Sequence, residues 1–102
     1  MIEITDLAAL GRTLPVDHDH LLTRIKDGAA LLIHLAPPVE YPYEAHQVEE
    51  RIVCLHGQLA FETEAGERFP LTAGQMASIA PGTRHRFAAS SDAVIFTLFG
   101  GA

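Results

Sequence analysis

Apolar residues in this chain come in short runs, and turn-forming residues separate the runs. Leu7 and Leu10 are spaced i, i+3 behind Thr5 and Asp6, either of which would cap a helix, so the pattern predicts one short helix over residues 5–11, stopped at Gly11. Pro15 bars any continuation. From Leu21 the period changes. Residues 21–25 read as a short strand and Lys26-Asp27-Gly28 as a turn. Residues 29–36 read as a nearly continuous apolar strand buried on both faces, ended by Pro37-Pro38. Residues 51–55 form a further apolar strand that closes at His56-Gly57. Residues 58–64 alternate, with Leu59, Phe61 and Thr63 on one side. Ala65-Gly66 is a hairpin turn, because glycine reaches positive φ without strain, and residues 67–71 return. Strands at 76–79, 84–88 and 94–99 follow, divided by Pro81-Gly82 and Ser90-Ser91-Asp92. Residues 100–102 make a loose end.

About eight short strands with regular turns and one short helix predict an all-β antiparallel sandwich or barrel. No linker, repeat or low-complexity stretch divides residues 1–102, so a single domain is expected. With 48% apolar residues the chain can fill one compact core without disulfides.

Charge narrows the range of partners. Seven Lys and Arg against thirteen Asp and Glu give a formal charge of −6. With no basic run, nucleic acid and anionic membrane are not expected partners. Residues 1–6 carry neither a basic nor an apolar leader pattern, and the longest apolar run is far short of a membrane span. Cys54 is the only cysteine, which fits a reducing compartment. The expectation is a soluble cytoplasmic protein.

Two stretches concentrate chemistry. In Tyr43-Glu44-Ala45-His46-Gln47-Val48-Glu49-Glu50, the residues Glu44, His46 and Glu50 share parity, so on a regular strand they would face one side, with Gln47-Val48-Glu49 a candidate bulge or turn. A helix would also join His46 to Glu50 at i, i+4, but Pro42 and the apolar residues 52–54 favour strand. In the second stretch, residues 80–87, His85 follows a Pro81-Gly82 turn and shares its face with Phe87, which implies that it points inward. Imidazole and carboxylate together suit a divalent ion such as Mn, Fe, Ni, Co or Zn. Buried and unpaired, such carboxylates would cost several kcal/mol, on the order of 3–5.

Other polar residues read as supporting. Asp17-His18-Asp19-His20 is expected to be a solvated lead-in to a strand. Arg51, Arg84 and Arg86 have the opposite parity and read as surface or interface residues. Tyr41 and Tyr43 would line a barrel mouth or pack a partner, and Gln47 would hydrogen-bond behind a ligand. Cys54 reads as a small buried hydrophobe, His34 as a hydrogen-bonded core residue and His56 as exposed.

The two stretches resemble the two motifs of the cupin superfamily. The first motif is Gly, five residues, His-x-His, three or four residues, Glu, six residues, Gly. His46, Glu50 and Gly57 fall at its spacings. The second is Gly, five residues, Pro-x-Gly, two residues, His, three residues, Asn. Gly74, Gly82 and His85 fall at these. The resemblance spans residues 36–99. It departs at Glu44, which replaces the first histidine, and at Pro38, Ala80 and Ala89, which replace the opening Gly, the Pro and the Asn.

The resemblance implies a double-stranded β-helix, or jelly-roll barrel, with a divalent metal held by His46, Glu50 and His85, and with Glu44 as a fourth candidate ligand. It implies a small oxygen-rich metabolite in the barrel and a homodimer that uses residues 1–25. Within the family such a pocket serves dioxygenases, isomerases and lyases, metal-free binding modules, and accessory dimers without catalysis.

Overall fold

The computed structural model of the chain describes residues 1–100. Of the expected loose end, Gly101 and Ala102 lie outside the described residues. The helix α1 (Leu7–Thr13) is shifted from the expected span. The Asp6 carboxylate caps it, accepting from the Ala9 N–H at 3.0 Å. Gly11 does not end the helix but lies inside it. A Cβ at Gly11 would sit 2.2 Å from Val94 Cγ1, so glycine lets the helix lie directly on a strand. The helix ends before Leu14, which is extended because it precedes Pro15.

Seven strands follow: β1 (His20–Ile25), β2 (Gly28–Leu35), β3 (Glu50–Glu62), β4 (Arg68–Thr72), β5 (Met76–Ile79), β6 (Arg86–Phe87) and β7 (Asp92–Phe99). They pair antiparallel in the order β1-β2-β7-β3-β4, with β5 and β6 also on β3. The result is an all-β barrel with one short helix.

The two strands expected at 51–55 and 58–64 are one, the thirteen-residue β3. Gly57 does not end the strand; it bends it. Gly57 has φ +77°, and the register with β7 shifts between Cys54 and His56. Residues 50–53 pair with β5, whereas residues 58–62 pair with β4. The bend lets one strand serve both ends of the barrel. A Cβ at Gly57 would lie 2.1 Å from the Asp92 carbonyl oxygen, so the close approach of β7 also requires glycine.

The interior is filled at one end and open at the other. Leu35, Ile52, Cys54 and Ile95 are fully buried and pack with Leu59, Phe61 and Leu71. Burying each large aliphatic side chain contributes about 1.5–3 kcal/mol. Two residues further along β7 the interior positions are Thr97 and Phe99, opposite Leu31 and Ala29 of β2, and here the packing gives way to a cavity. The other face of β2 and β7 carries the buried Ala30, Leu32 and Val94, and Val94 meets α1 at Gly11. This explains the apolar run without alternation in β2: the barrel interior takes one face and the helix lies over the other.

Candidate metal centre

Glu50 is the first residue of β3, and its backbone is fixed between Ile79 of β5 and Phe99 of β7. Its side chain enters the cavity beside the floor formed by the packed end. His85 arrives from the turn at Ala80–Thr83. That turn is held by the Thr83 N–H donating to the Ala80 carbonyl at 3.2 Å, and Gly82 has φ +78°. The segment does not form the strand expected over 84–88. Arg86 and Phe87 pair with β3, the Ala88 N–H donates to the Ala60 carbonyl at 2.8 Å, and His85 instead exchanges two backbone hydrogen bonds with Glu44, at 2.8 and 2.9 Å. The Gly82 N–H also donates to the His46 carbonyl at 2.8 Å. Backbone pairing therefore ties the two polar stretches together.

No regular strand runs over residues 43–50, and the candidate bulge or turn at 47–49 is where the segment departs from one. The chain bends at Gln47 and Val48, so strand parity does not align Glu44, His46 and Glu50. The bend brings them near one another by another route. His46 Nε2 lies 3.8 Å from the Glu44 carboxylate and 3.9 Å from that of Glu50. His85 Nε2 lies 3.4 Å from Glu50 Oε1. One ligand atom each from His46, Glu50 and His85 all fall within 4.8 Å of one another, the only such group of three among the described residues. Glu44 stands outside this group, with its side chain 60% exposed.

Donor atoms on one ion, at bonds of about 2.1 Å, lie roughly 3.0–3.4 Å apart. The triad would have to draw in by about an ångström, and His46, at the solvent side, has room to do so. His85 is already oriented. Its Nδ1 lies 2.8 Å from the Thr83 carbonyl, so Nδ1–H donates there and Nε2 is left facing Glu50. Edge contact with Phe61, at 6.1 Å between centroids, holds the ring from the core side. His46 stacks on Phe99 at 6.5 Å.

The Glu50 hydrogen bond raises the His85 pKa above its ordinary value; burial opposes this, and Thr83, with the charges of Glu50 and Glu44, adds to the rise. Without metal the buried end of the site is an imidazole paired with a carboxylate. Both groups are almost fully buried, at 6% and 8% exposed. A metal at Nε2 would have to displace any proton held there.

Asp17, His18 and Asp19 are exposed, as expected of a solvated lead-in, and they also border the cavity. The Asp17 N–H bonds to the His34 carbonyl at 2.9 Å, beside a bridge between Val16 and His34, and this docks the segment along β2. The density of polar residues at 17–20 was visible in the sequence; the pairing that brings residues 17–19 beside the cavity was not. Arg86 is half-buried at the cavity wall, held by Glu62 at 3.2 Å and lying over Tyr43 at 4.4 Å. Arg84 pairs with Glu64 and Arg51 with Glu49, both at the surface as expected. Tyr41 is buried against the edge of Phe87 at 5.5 Å and lines the cavity. His34 Nδ1 meets the Leu14 carbonyl at 3.0 Å. Cys54 is a buried core residue whose thiol pKa burial pushes up, against a backbone hydrogen bond at His56. Among the described residues no helix is long and apolar enough to cross a membrane.

The cavity has a volume of about 490 Å³, in the range that encloses a small metabolite. A family model described as a cupin domain matches residues 31–99. Comparison with curated protein sequences gives no significant match. Among solved structures, a protein from Neisseria meningitidis superposes with TM-score 0.78 at 15% identity, covering 95% of this chain and 98% of that one. A cupin-2 domain containing protein from Shewanella frigidimarina gives TM-score 0.74 at 15% identity, over 92% and 89%. HppE with iron(II) and substrate gives TM-score 0.70 at 13% identity, over 87% of this chain and 58% of that one. At these identities the likeness is one of fold.

Proposed function

The chain belongs to the cupin domain family, and from that premise we propose that its cavity holds a divalent metal on His46, Glu50 and His85 and presents it to a small polar metabolite. The observation that carries this reading is the convergence of those three ligand atoms within 4.8 Å. Two imidazoles and one carboxylate form a set suited to iron(II), manganese, cobalt, nickel or zinc, with coordination positions left open. A neighbour in fold, HppE, is described with iron(II). Glu44, 3.8 Å from His46 Nε2, would take a fourth position from the solvent side. When bound, such an ion polarises a ligand oxygen. The protein's own groups enclose the ligand and orient His85 through the Thr83 carbonyl. Whichever carboxylate is not on the metal would accept a proton from the ligand.

A second reading is favoured by the 3.4 Å contact of His85 with Glu50, which satisfies both groups without an ion. On that reading the barrel binds its metabolite metal-free. Metal analysis of protein purified without chelator or affinity tag separates the two. About one metal per chain, retained in wild type and weakened at least about a hundredfold in His46→Ala and His85→Ala, supports a metal centre. Metal-free wild type, with both variants equally stable, supports the second reading and refutes the first.

We further propose a homodimer through residues 1–25. Met1, Ile2 and Ile4 are almost wholly exposed and Leu21 partly so. β1 also lies at an end of the sheet order, where it presents unpaired backbone groups.

A further inference from the structure

Glu44 and Glu50 lie at nearly the same distance from His46 Nε2, 3.8 and 3.9 Å, but the fold holds them in different ways. Glu50 is held at both ends. Its backbone sits in β3 between β5 and β7, and its carboxylate meets His85 Nε2 at 3.4 Å, with 10% of the side chain exposed. Glu44 is held at the backbone alone. It faces His85 across an antiparallel bridge, with backbone hydrogen bonds of 2.8 and 2.9 Å in the two directions. Residues directly opposite in such a pair project their side chains to the same side. The Glu44 side chain therefore leaves the backbone beside that of His85 and borders the same cavity. Its far end is 60% exposed, and among the described residues its one ionic contact is with His46.

This difference decides what each carboxylate can do toward a metal. Taking Glu50 off an ion would strand a buried charge, which is costly. Taking Glu44 off would return it to water, where an exposed carboxylate loses little. Glu44 is also within reach of the ion: its 3.8 Å from His46 Nε2 is only slightly longer than the roughly 3.0–3.4 Å between donors on one ion. It nevertheless stands outside the converging group of His46, Glu50 and His85. Its exposed end lies on the solvent side of that group, where an entering ligand would approach the open positions.

We propose that Glu44 is an exchangeable ligand. It closes the open side of the metal while the cavity is empty and gives up that position to an oxygen of the metabolite, whereas His46, Glu50 and His85 stay bound. This rests on the metal centre proposed above. Exchange leaves the same factor in two affinities. Metal binds more tightly because Glu44 adds a ligand, and the metabolite binds more weakly by that factor, because only the form with Glu44 released can accept it. The factor is small, about five- to tenfold, since an exposed carboxylate is well solvated when it leaves.

Glu44→Gln tests this. The position is exposed, so the fold is kept, and the urea midpoint of metal-free protein checks that it is. Zinc affinity is measured by competition with a chromophoric chelator. Imidazole is then titrated by calorimetry into zinc-loaded protein at mildly alkaline pH, where it is neutral. A neutral probe that takes one coordination position reports a vacated site and not a removed charge. Glu44→Gln should bind zinc about five- to tenfold more weakly and imidazole more tightly by the same factor. Glu50→Gln should lose at least about a hundredfold in zinc affinity. Weaker zinc binding with imidazole unchanged would overturn the proposal, since Glu44 would then act only as a nearby charge. Weaker imidazole binding would overturn it too, as would no change in either affinity, or a Glu50→Gln loss no larger than that of Glu44→Gln. A wild type that takes up no zinc refutes the metal centre and this inference with it. One that takes up zinc without the imidazole gain in Glu44→Gln refutes the exchange alone.

Discussion

Replacing Glu50 by glutamine in metal-free protein tests the electrostatics of the site. Glutamine keeps the shape of the side chain and removes its charge. The carboxylate lies 3.4 Å from His85 Nε2. Two unit charges at that distance attract by about 1 kcal/mol in bulk water and by about 5 kcal/mol at an effective dielectric near 20. Both groups are nearly buried, but the cavity opens to solvent, so the working value lies between, at about 2 kcal/mol. The pH dependence has a definite sign. Glu50 raises the folded His85 pKa above its unfolded value. The stabilisation is therefore fully present below the ordinary imidazole pKa near 6.5 and is lost as pH rises through the folded pKa. Glu50→Gln should cost about 2 kcal/mol at a pH of about 5.5 and clearly less at about 9. Urea unfolding in EDTA at fixed protein concentration measures this directly. A penalty that is equal at both pH values, or larger at the alkaline one, would refute the ion pair.

Gly57→Ala should lower stability by at least about 2 kcal/mol, since its φ of +77° strains an L-residue and its Cβ would meet the Asp92 carbonyl at 2.1 Å; an unchanged urea midpoint would show that β3 is not bent there. Tyr41→Phe removes a buried hydroxyl that has no partner, so the ligand-free protein should keep its stability or gain up to about 1 kcal/mol. A clear fall in its thermal midpoint would show that the hydroxyl is bonded in the free protein. If residues 1–25 form a dimer interface, sedimentation at micromolar concentration should give twice the chain mass and deletion of residues 1–5 should weaken association; a single-chain mass would exclude the dimer.

Much of the barrel was legible because strand period and turn chemistry are local. The runs at 21–25, 29–36, 76–79 and 94–99 became strands within a residue or two of their expected ends. Where the reading failed, a distant contact overrode a local signal. Gly11 looks like a helix stop, but Val94 requires a glycine inside the helix. Gly57 looks like a strand end, but Asp92 requires a glycine inside a bent strand. The even spacing of Glu44, His46 and Glu50 suggested one strand face, yet backbone bonds to His85 and Gly82 shape that segment instead.

By itself the sequence determined the fold class and the residue types of the site, because alternation, turn residues and motif spacing are written along the chain. Tertiary structure decided which of those residues meet. It gathered His46, Glu50 and His85 into one group and left Glu44 at its solvent edge. It also brought the exposed Asp17 and Asp19 beside the same cavity through the pairing of Val16 with His34. Such meetings depend on register between strands far apart in sequence, and no local pattern in the chain encodes that register.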